Sequence, residues 1–274
     1  MKPRPSFPAR LALPDKQAQH AVKARTSAMS RASVAAGSLP AAVNQQPVSS
    51  GLPSAPRAAE SSAARRNMAQ KLVALGLSDH HVAAALELVE RHRFVDSALQ
   101  AQAYEDTSLP IGLGQTISKP GVVARMIELL RNGREGKLGR VLEIGTGCGY
   151  QAAVLSGLAS EVYSIERLRG LHDKARANLR HLRLANVHLL LGDGMAGFAK
   201  GAPYAGVIAA ACGEVVPVAW TDQLALGGRL VAPVARGHGA SGQQALVVID
   251  KSSSGLRQSV FDAVHFVPLK SGVA

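Results

Sequence analysis

Cysteine is scarce in this 274-residue chain: Cys148 and Cys212 are the only two, and neither belongs to a CxxC pair. A disulfide framework of the kind that staples small secreted domains is excluded, and a reducing, cytoplasmic setting is expected. The nine histidines fall into no HExxH or Cys/His ligand spacing, so no structural or catalytic metal is expected. No apolar run reaches the roughly 18 residues that a bilayer-spanning helix requires. The N-terminus lacks the roughly 7–15-residue apolar stretch of a secretory signal, so no membrane role is expected. Acidic residues are nearly missing from one region: residues 1–66 hold ten Lys and Arg but only Asp15 and Glu60. The other 208 residues carry 21 basic and 17 acidic side chains, a net of +4 out of the total of +12. The charge therefore belongs mainly to a tail, which argues against nucleic acid as the partner of the folded part.

Residues 1–60 are rich in Ala, Pro, Ser and Arg with little apolar periodicity, and are expected to form a disordered basic arm. Their acid-poor composition also resembles an organelle transit peptide. A single domain, residues 61–274, is expected to follow. Its first part, 61–139, reads as helices and a loop. Met68, Leu72, Val73 and Leu75 recur at helical spacing before Gly76, and Ser78 is placed to cap a second helix bearing Val82, Leu86 and Val89. Beyond a loop through residues 104–107, Ser118 precedes Lys119-Pro120 and a helical face of Val122, Val123, Met126, Ile127 and Leu130.

From residue 140 short apolar runs alternate with helical stretches, notably 168–182. The runs at 141–144, 162–165, 187–191, 207–211 and 230–234 are the sign of βαβ units and a mostly parallel sheet. Runs at 245–249 and 260–267, with no helix between them, predict an antiparallel hairpin at the sheet edge. The fold class expected is α/β: Rossmann-like, doubly wound, preceded by helices.

The sharpest local signal is Val141-Leu142-Glu143-Ile144-Gly145-Thr146-Gly147-Cys148-Gly149. A buried strand runs into a loop with glycine at every second position, then a helix from about Tyr150. Glycine permits positive φ and lets a ligand approach the backbone, and the carboxyl end of such a strand is where open α/β sheets bind ligands. The spacing is not the GxGxxG of dinucleotide folds. Glu-x-Gly-x-Gly-x-Gly resembles the S-adenosylmethionine methyltransferases, whose cofactor carries a cationic amino group in place of a pyrophosphate. Glu143 suits that ammonium, directly or through water. Glu166, ending the next strand, suits the ribose hydroxyls, and Asp193-Gly194 stands where adenine would lie.

Upstream, AYEDTSLPIG at 103–112 and GQTIS at 114–118 resemble the signature of the protein-L-isoaspartate methyltransferase family. Arg91, Phe94 and Val95 resemble its lead-in, and LGGRLV at 226–231, Pro233-Val234 and FVPL at 266–269 resemble its final strands. The similarity covers about residues 64–270. It implies methyl transfer from S-adenosyl-L-methionine to the free carboxylate of L-isoaspartyl residues in damaged proteins and peptides, the ester then collapsing to a succinimide. It also implies a monomer. The cofactor set it implies is Gln115, Thr116, Ile117, Glu143, Gly145, Thr146, Gly147, Gly149, Glu166, Asp193 and Gly194. Ser118 is its catalytic hydroxyl, and Leu113, Val267, Pro268 and Leu269 contact substrate.

No general base is needed, because a carboxyl group with pKa near ~4 is already ionised at pH 7. Ser118 has a second reading as a helix N-cap. Leu113, Gly121, Cys148, Ala205 and Ala211-Cys212-Gly213 depart from the usual family pattern. Methylation of RNA or a small molecule, and a noncatalytic binding relative, are the competing readings.

Overall fold

The computed structural model describes residues 58–236 and 243–274; the basic arm, apart from its last residues, lies outside the described residues. Helix α1 (Ala58–Ala74) begins slightly ahead of Ser61, and α2 (His80–Leu88) follows. Met68 and Leu72, one turn apart, are buried as their spacing predicts, whereas Val73 and Leu75 are half exposed. Val73 lies off the 68/72 stripe, and Leu75 follows the last residue of the helix, which ends at Ala74. The cap of α2 is Asp79 rather than Ser78: its Oδ1 accepts from His81 N (3.0 Å) and Val82 N (3.3 Å). Ser78 turns instead to Glu128, donating through N (2.7 Å) and Oγ (2.8 Å). The buried Arg131 donates to Asp79 Oδ2 at 2.8 Å, which fixes the cap from a helix far along the chain.

Two 3₁₀ turns lead to a small antiparallel hairpin, β1 (Leu109–Gly112) and β2 (Gln115–Ile117). Helix α3 (Pro120–Arg131) starts from Lys119 with Pro120 in its first turn. Its free N-terminal amide at Gly121 donates to Asp106 Oδ1 (2.7 Å), and Ser118 makes no capping bond. The substitution of glycine at 121 fits this contact, since a Cβ there would stand 3.0 Å from the same carboxylate oxygen.

The seven-stranded sheet contains β3 (Leu138–Ile144), β4 (Ala159–Glu166), β5 (Val187–Leu191), β6 (Tyr204–Ala209), β7 (Leu224–Arg236), β8 (Gln243–Ser252) and β9 (Gly255–Val264). Its order is β5-β4-β3-β6-β7-β8-β9, parallel from β5 to β7 and antiparallel beyond. Helices α4 (Tyr150–Leu158) and α5 (Arg169–Leu179) connect β3–β4 and β4–β5, and α6 (Val218–Asp222) precedes β7. The α/β expectation and its C-terminal hairpin hold, but the last strand ends at Val264. Residues 266–269 leave the sheet edge and lie beside the turn after β6, where Cys212 N donates to Val267 O (2.8 Å) and Leu269 N to Cys212 O (2.7 Å).

Alternation along the strands sorts the core into two layers. Val141, Ile208, Val231, Leu246 and Val248 face the helices α1–α4; Leu142, Val207, Leu230, Val247 and Ile249 face Trp220 of α6. Strand β3 lies inside the sheet, with β4 on one side and β6 on the other, so the strand order reverses beside it. A crevice opens at the carboxyl end of such a strand.

Candidate active site

The loop after β3 is folded by its glycines. Gly145, Gly147 and Gly149 have φ of 89°, 57° and 90°, a region that side-chain-bearing residues rarely occupy. Gly145 N and Thr146 N donate to Ile165 O at 2.8 and 3.2 Å, bending the loop over the end of β4. The crevice it bounds is a cavity of about 260 Å³. Gly145, Thr146, Gly147, Glu166 and Gly194 line its floor; Leu113, Gln115, Thr116, Ile117 and Ser118 line it from the β1–β2 hairpin. Val267, Pro268 and Leu269 close it from the segment beyond β9. Residues from widely separated stretches of sequence therefore meet in one cavity.

Three of the expected residues do not reach its wall. Gly149 is buried behind it, where a Cβ would stand 3.1 Å from Leu179 Cδ1, so its glycine serves helix packing. Asp193 accepts from Met195 N (2.8 Å) and from Gly272 N (2.7 Å); it holds a turn and the C-terminal segment, while only Gly194 faces the cavity. Glu143 is fully buried beneath the loop.

Glu143 Oε2 accepts from Ser164 Oγ at 2.5 Å, and Ser164 Oγ lies 2.6 Å from Thr146 Oγ1 at the cavity wall. The pairing follows from register, because Glu143 and Ser164 are opposite one another in β3 and β4. Its other oxygen, Oε1, and Gln151 Nε2 are buried without partners among the described residues. Burial pushes the Glu143 carboxyl up to about 8, opposed by the Ser164 hydroxyl. An unsatisfied buried acceptor costs about 1–3 kcal/mol.

Glu166 accepts from Gly147 N through Oε2 and from Leu168 N through Oε1, both at 2.9 Å. Its carboxylate thus ties the glycine loop to the start of α5. Each oxygen retains acceptor capacity, and the side chain lines the cavity. An anionic acceptor at a strand end, a backbone cradle and apolar walls from Ile111, Ile144 and Leu168 together suit a nucleoside with a cationic tail.

Sequence reasoning missed two supports. Arg91 is buried, donating from Nε to Ala103 O (2.8 Å) and from Nη2 to Ser118 O (2.7 Å), with its guanidinium 4.8 Å from the Tyr150 ring centroid. Burial lowers its pKa from the ordinary guanidinium value. Lys174 of α5 donates to Ile111 O at 2.9 Å and fastens the hairpin. The sequence signals were the family-like lead-in of Arg91 before Phe94 and a lysine inside a helix; neither pattern shows which carbonyl it will meet. The turn after β6 also has a local logic: Gly213 N donates to Pro233 O at 3.3 Å, and a Cβ on it would stand 2.8 Å from Val215 O.

Residues 63–274 match the family model described as protein-L-isoaspartate(D-aspartate) O-methyltransferase. A Leptothrix cholodnii protein named protein-L-isoaspartate O-methyltransferase is 59% identical over 213 residues, covering 77% of this chain and 74% of that protein. A protein of the same name from Methylibium petroleiphilum is 60% identical over 210 residues, covering 76% and 77%. A solved structure with that name superposes with a TM-score of 0.68 at 29% identity, over 77% of this chain and 67% of that one.

Proposed function

The chain belongs to the protein-L-isoaspartate(D-aspartate) O-methyltransferase family, and we propose that it methylates the free carboxylate of L-isoaspartyl residues in damaged proteins and peptides. The observation that carries this reading is the convergence of residues 115–118 and 267–269 on the glycine loop, in one cavity. S-adenosylmethionine supplies the methyl group there as a positively charged sulfonium donor.

The chain's own residues bind, orient and shelter. Glu166 receives the ribose hydroxyls on the lone pairs left by Gly147 N and Leu168 N. Gly145 and Gly147 give the methionine portion room beside the backbone. Glu143 lies below its ammonium, which would draw the buried carboxyl towards its ionised form across Ser164 and Thr146, a hydrogen-bonded path that ends at the cavity wall. Gln115, Thr116, Ile117 and Gly194 complete the cofactor's walls.

Ser118 is partly buried, and its backbone carbonyl is held by Arg91 while its hydroxyl has no capping duty. That hydroxyl donates to one oxygen of the substrate carboxylate and leaves the other free to attack. Leu113, Val267, Pro268 and Leu269 enclose the substrate backbone and exclude water. Negative oxygen and positive donor cancel as they react, so catalysis rests on in-line placement in a dry site. No base is required.

Among the described residues no cluster of His, Cys, Asp and Glu could hold a metal, and no helix is long and apolar enough to cross a membrane. We read the enzyme as a cytoplasmic monomer, a setting in which the buried, free Cys148 and Cys212 stay reduced. The test is transfer of a labelled methyl group to an isoaspartyl hexapeptide and to its aspartyl isomer. Methylation of the first alone is expected. Equal methylation of both, or none by folded protein that binds the cofactor, would overturn the reading.

A further inference from the structure

Away from the cavity, an open groove of about 930 Å³ runs between α5 and the edge strand β5. Its rim carries Arg176, Arg180 and Arg183, all exposed and none with an ion-pair partner among the described residues. Asp173 is the one acid on the rim, and it lies 3.4 Å from His172. Most other arginines of the described fold are spent on carboxylates or carbonyls, as Arg65, Arg131 and Arg229 show. Three unspent cations within eight residues, about two turns of chain, are therefore a local feature rather than an overall basicity.

The floor is different in kind. Leu184, Val187 and Leu189 are half-buried aliphatics, and no Phe, Tyr or Trp lines the groove. Strand β5 ends the sheet, pairing with β4 on one side and with no described strand on the other. A free strand edge offers backbone donors and acceptors to an extended chain, alternate side chains of which meet the adjoining surface. An aliphatic floor suits polypeptide side chains, whereas single-stranded nucleic acid wants aromatic faces for its bases.

We propose that this groove docks an acidic, extended segment of the protein substrate, adding it as a strand beside β5 with its carboxylates on Arg176, Arg180 and Arg183. The proposal rests on the reading of proteins as substrates. Residues 1–57 of the same chain, with eight Lys and Arg against one Asp, have the wrong sign to be the occupant. Docking outside the catalytic cavity raises the local concentration of a damaged residue elsewhere on the same chain.

The experiment uses the full chain and a fluorescein-labelled decapeptide of alternating Glu and Val, free of isoaspartate. Anisotropy should report binding that weakens with salt. The triple substitution Arg176→Glu, Arg180→Glu and Arg183→Gly should weaken it by at least about tenfold, the scale of three exposed ion pairs. Glycine suits position 183, whose φ is 48°. A double variant, Arg176→Gln with Arg180→Gln, should give a smaller loss and covers the case of a triple variant that does not fold. Methylating alternate amides of the decapeptide should also weaken binding, because it removes strand pairing. In turnover, the triple variant should raise KM for a long isoaspartyl polypeptide bearing an acidic stretch and leave KM for an isoaspartyl hexapeptide unchanged. Unchanged decapeptide binding in the folded variants would overturn the proposal. So would a ten-nucleotide oligouridine that binds more tightly than the decapeptide and is lost in the same variants. Failure of the wild type to methylate either substrate would reject the catalytic reading alone, since the anisotropy still decides the docking.

Discussion

The floor and the roof of the cavity are made by different means. The floor is the carboxyl edge of a parallel sheet, where Glu143 and Glu166 are buried and the glycine loop is held by backbone bonds to Ile165 and by the Glu166 carboxylate. The roof is two short segments, a hairpin whose Leu113 is 62% exposed at φ 51° and a crossing strip at 266–269 held by paired bonds to Cys212. A floor carved from the core can tolerate few changes without loss of cofactor or fold. A roof of surface segments can vary in shape and choose the substrate. Binding of the donor and placement of the acceptor should accordingly separate under mutation.

The largest effect expected is on the roof. Ser118→Ala should lower turnover on an isoaspartyl peptide by on the order of 10²-fold, the cost of losing one oriented donor, with S-adenosylmethionine affinity nearly unchanged. Because Lys119 and Asp106, not Ser118, serve the start of α3, its unfolding midpoint should stay close to that of the parent. On the floor, Glu166→Ala should weaken S-adenosylmethionine by about 1–3 kcal/mol in calorimetry, and should also lower stability because Gly147 N and Leu168 N lose their acceptor.

Glu143 sharpens the contrast through pH. Its folded pKa is raised to about 8 from an ordinary 4.5, so between those values the folded chain holds a proton that the unfolded chain has released. Stability from this group is greatest below the ordinary pKa and is lost as pH rises towards 8. Glu143→Gln removes that dependence. Denaturation midpoints measured across pH 5–8 without cofactor should therefore fall in the parent and flatten in the variant.

Much of the floor was legible because its signals are local. The 141–149 run, the periods of the following strands and the carboxylate ending β4 are consecutive features that local rules read well. What escaped was decided by partners far along the chain. Ser78 looked like a cap until Glu128 claimed it, and the contact of Asp193 with Gly272, 79 residues on, had no sequence signal. Ser118 was ambiguous for the same reason, since only folding shows that Asp106 meets Gly121 and that Arg91 holds the Ser118 carbonyl. The last strand was placed too far along, at 260–267 rather than Gly255–Val264, because apolar Phe266 and Val267 follow it while leaving the sheet for Cys212.

The smallest effect expected lies outside both floor and roof. Removing residues 1–57, which precede α1, should leave methylation of a short peptide and the unfolding midpoint nearly unchanged. Extending the cut through residue 66 should not be silent. It deletes Ser61, which meets His92 Nδ1 at 3.2 Å, and Arg65, which donates to Ser61 Oγ and Glu90 Oε1, each at 3.0 Å. A loss of roughly 1–3 kcal/mol in chemical denaturation is the expected scale for those buried partners.

The division of labour itself is tested most directly by the double variant Ser118→Ala with Glu166→Ala. S-adenosylmethionine affinity and single-turnover methyl transfer at saturating cofactor would be measured beside both single variants. If floor and roof act separately, the double variant binds cofactor as weakly as Glu166→Ala and transfers the methyl group as slowly as Ser118→Ala. The two losses then add within about 0.5 kcal/mol. A Ser118→Ala enzyme that lost cofactor affinity as severely as Glu166→Ala would contradict the account.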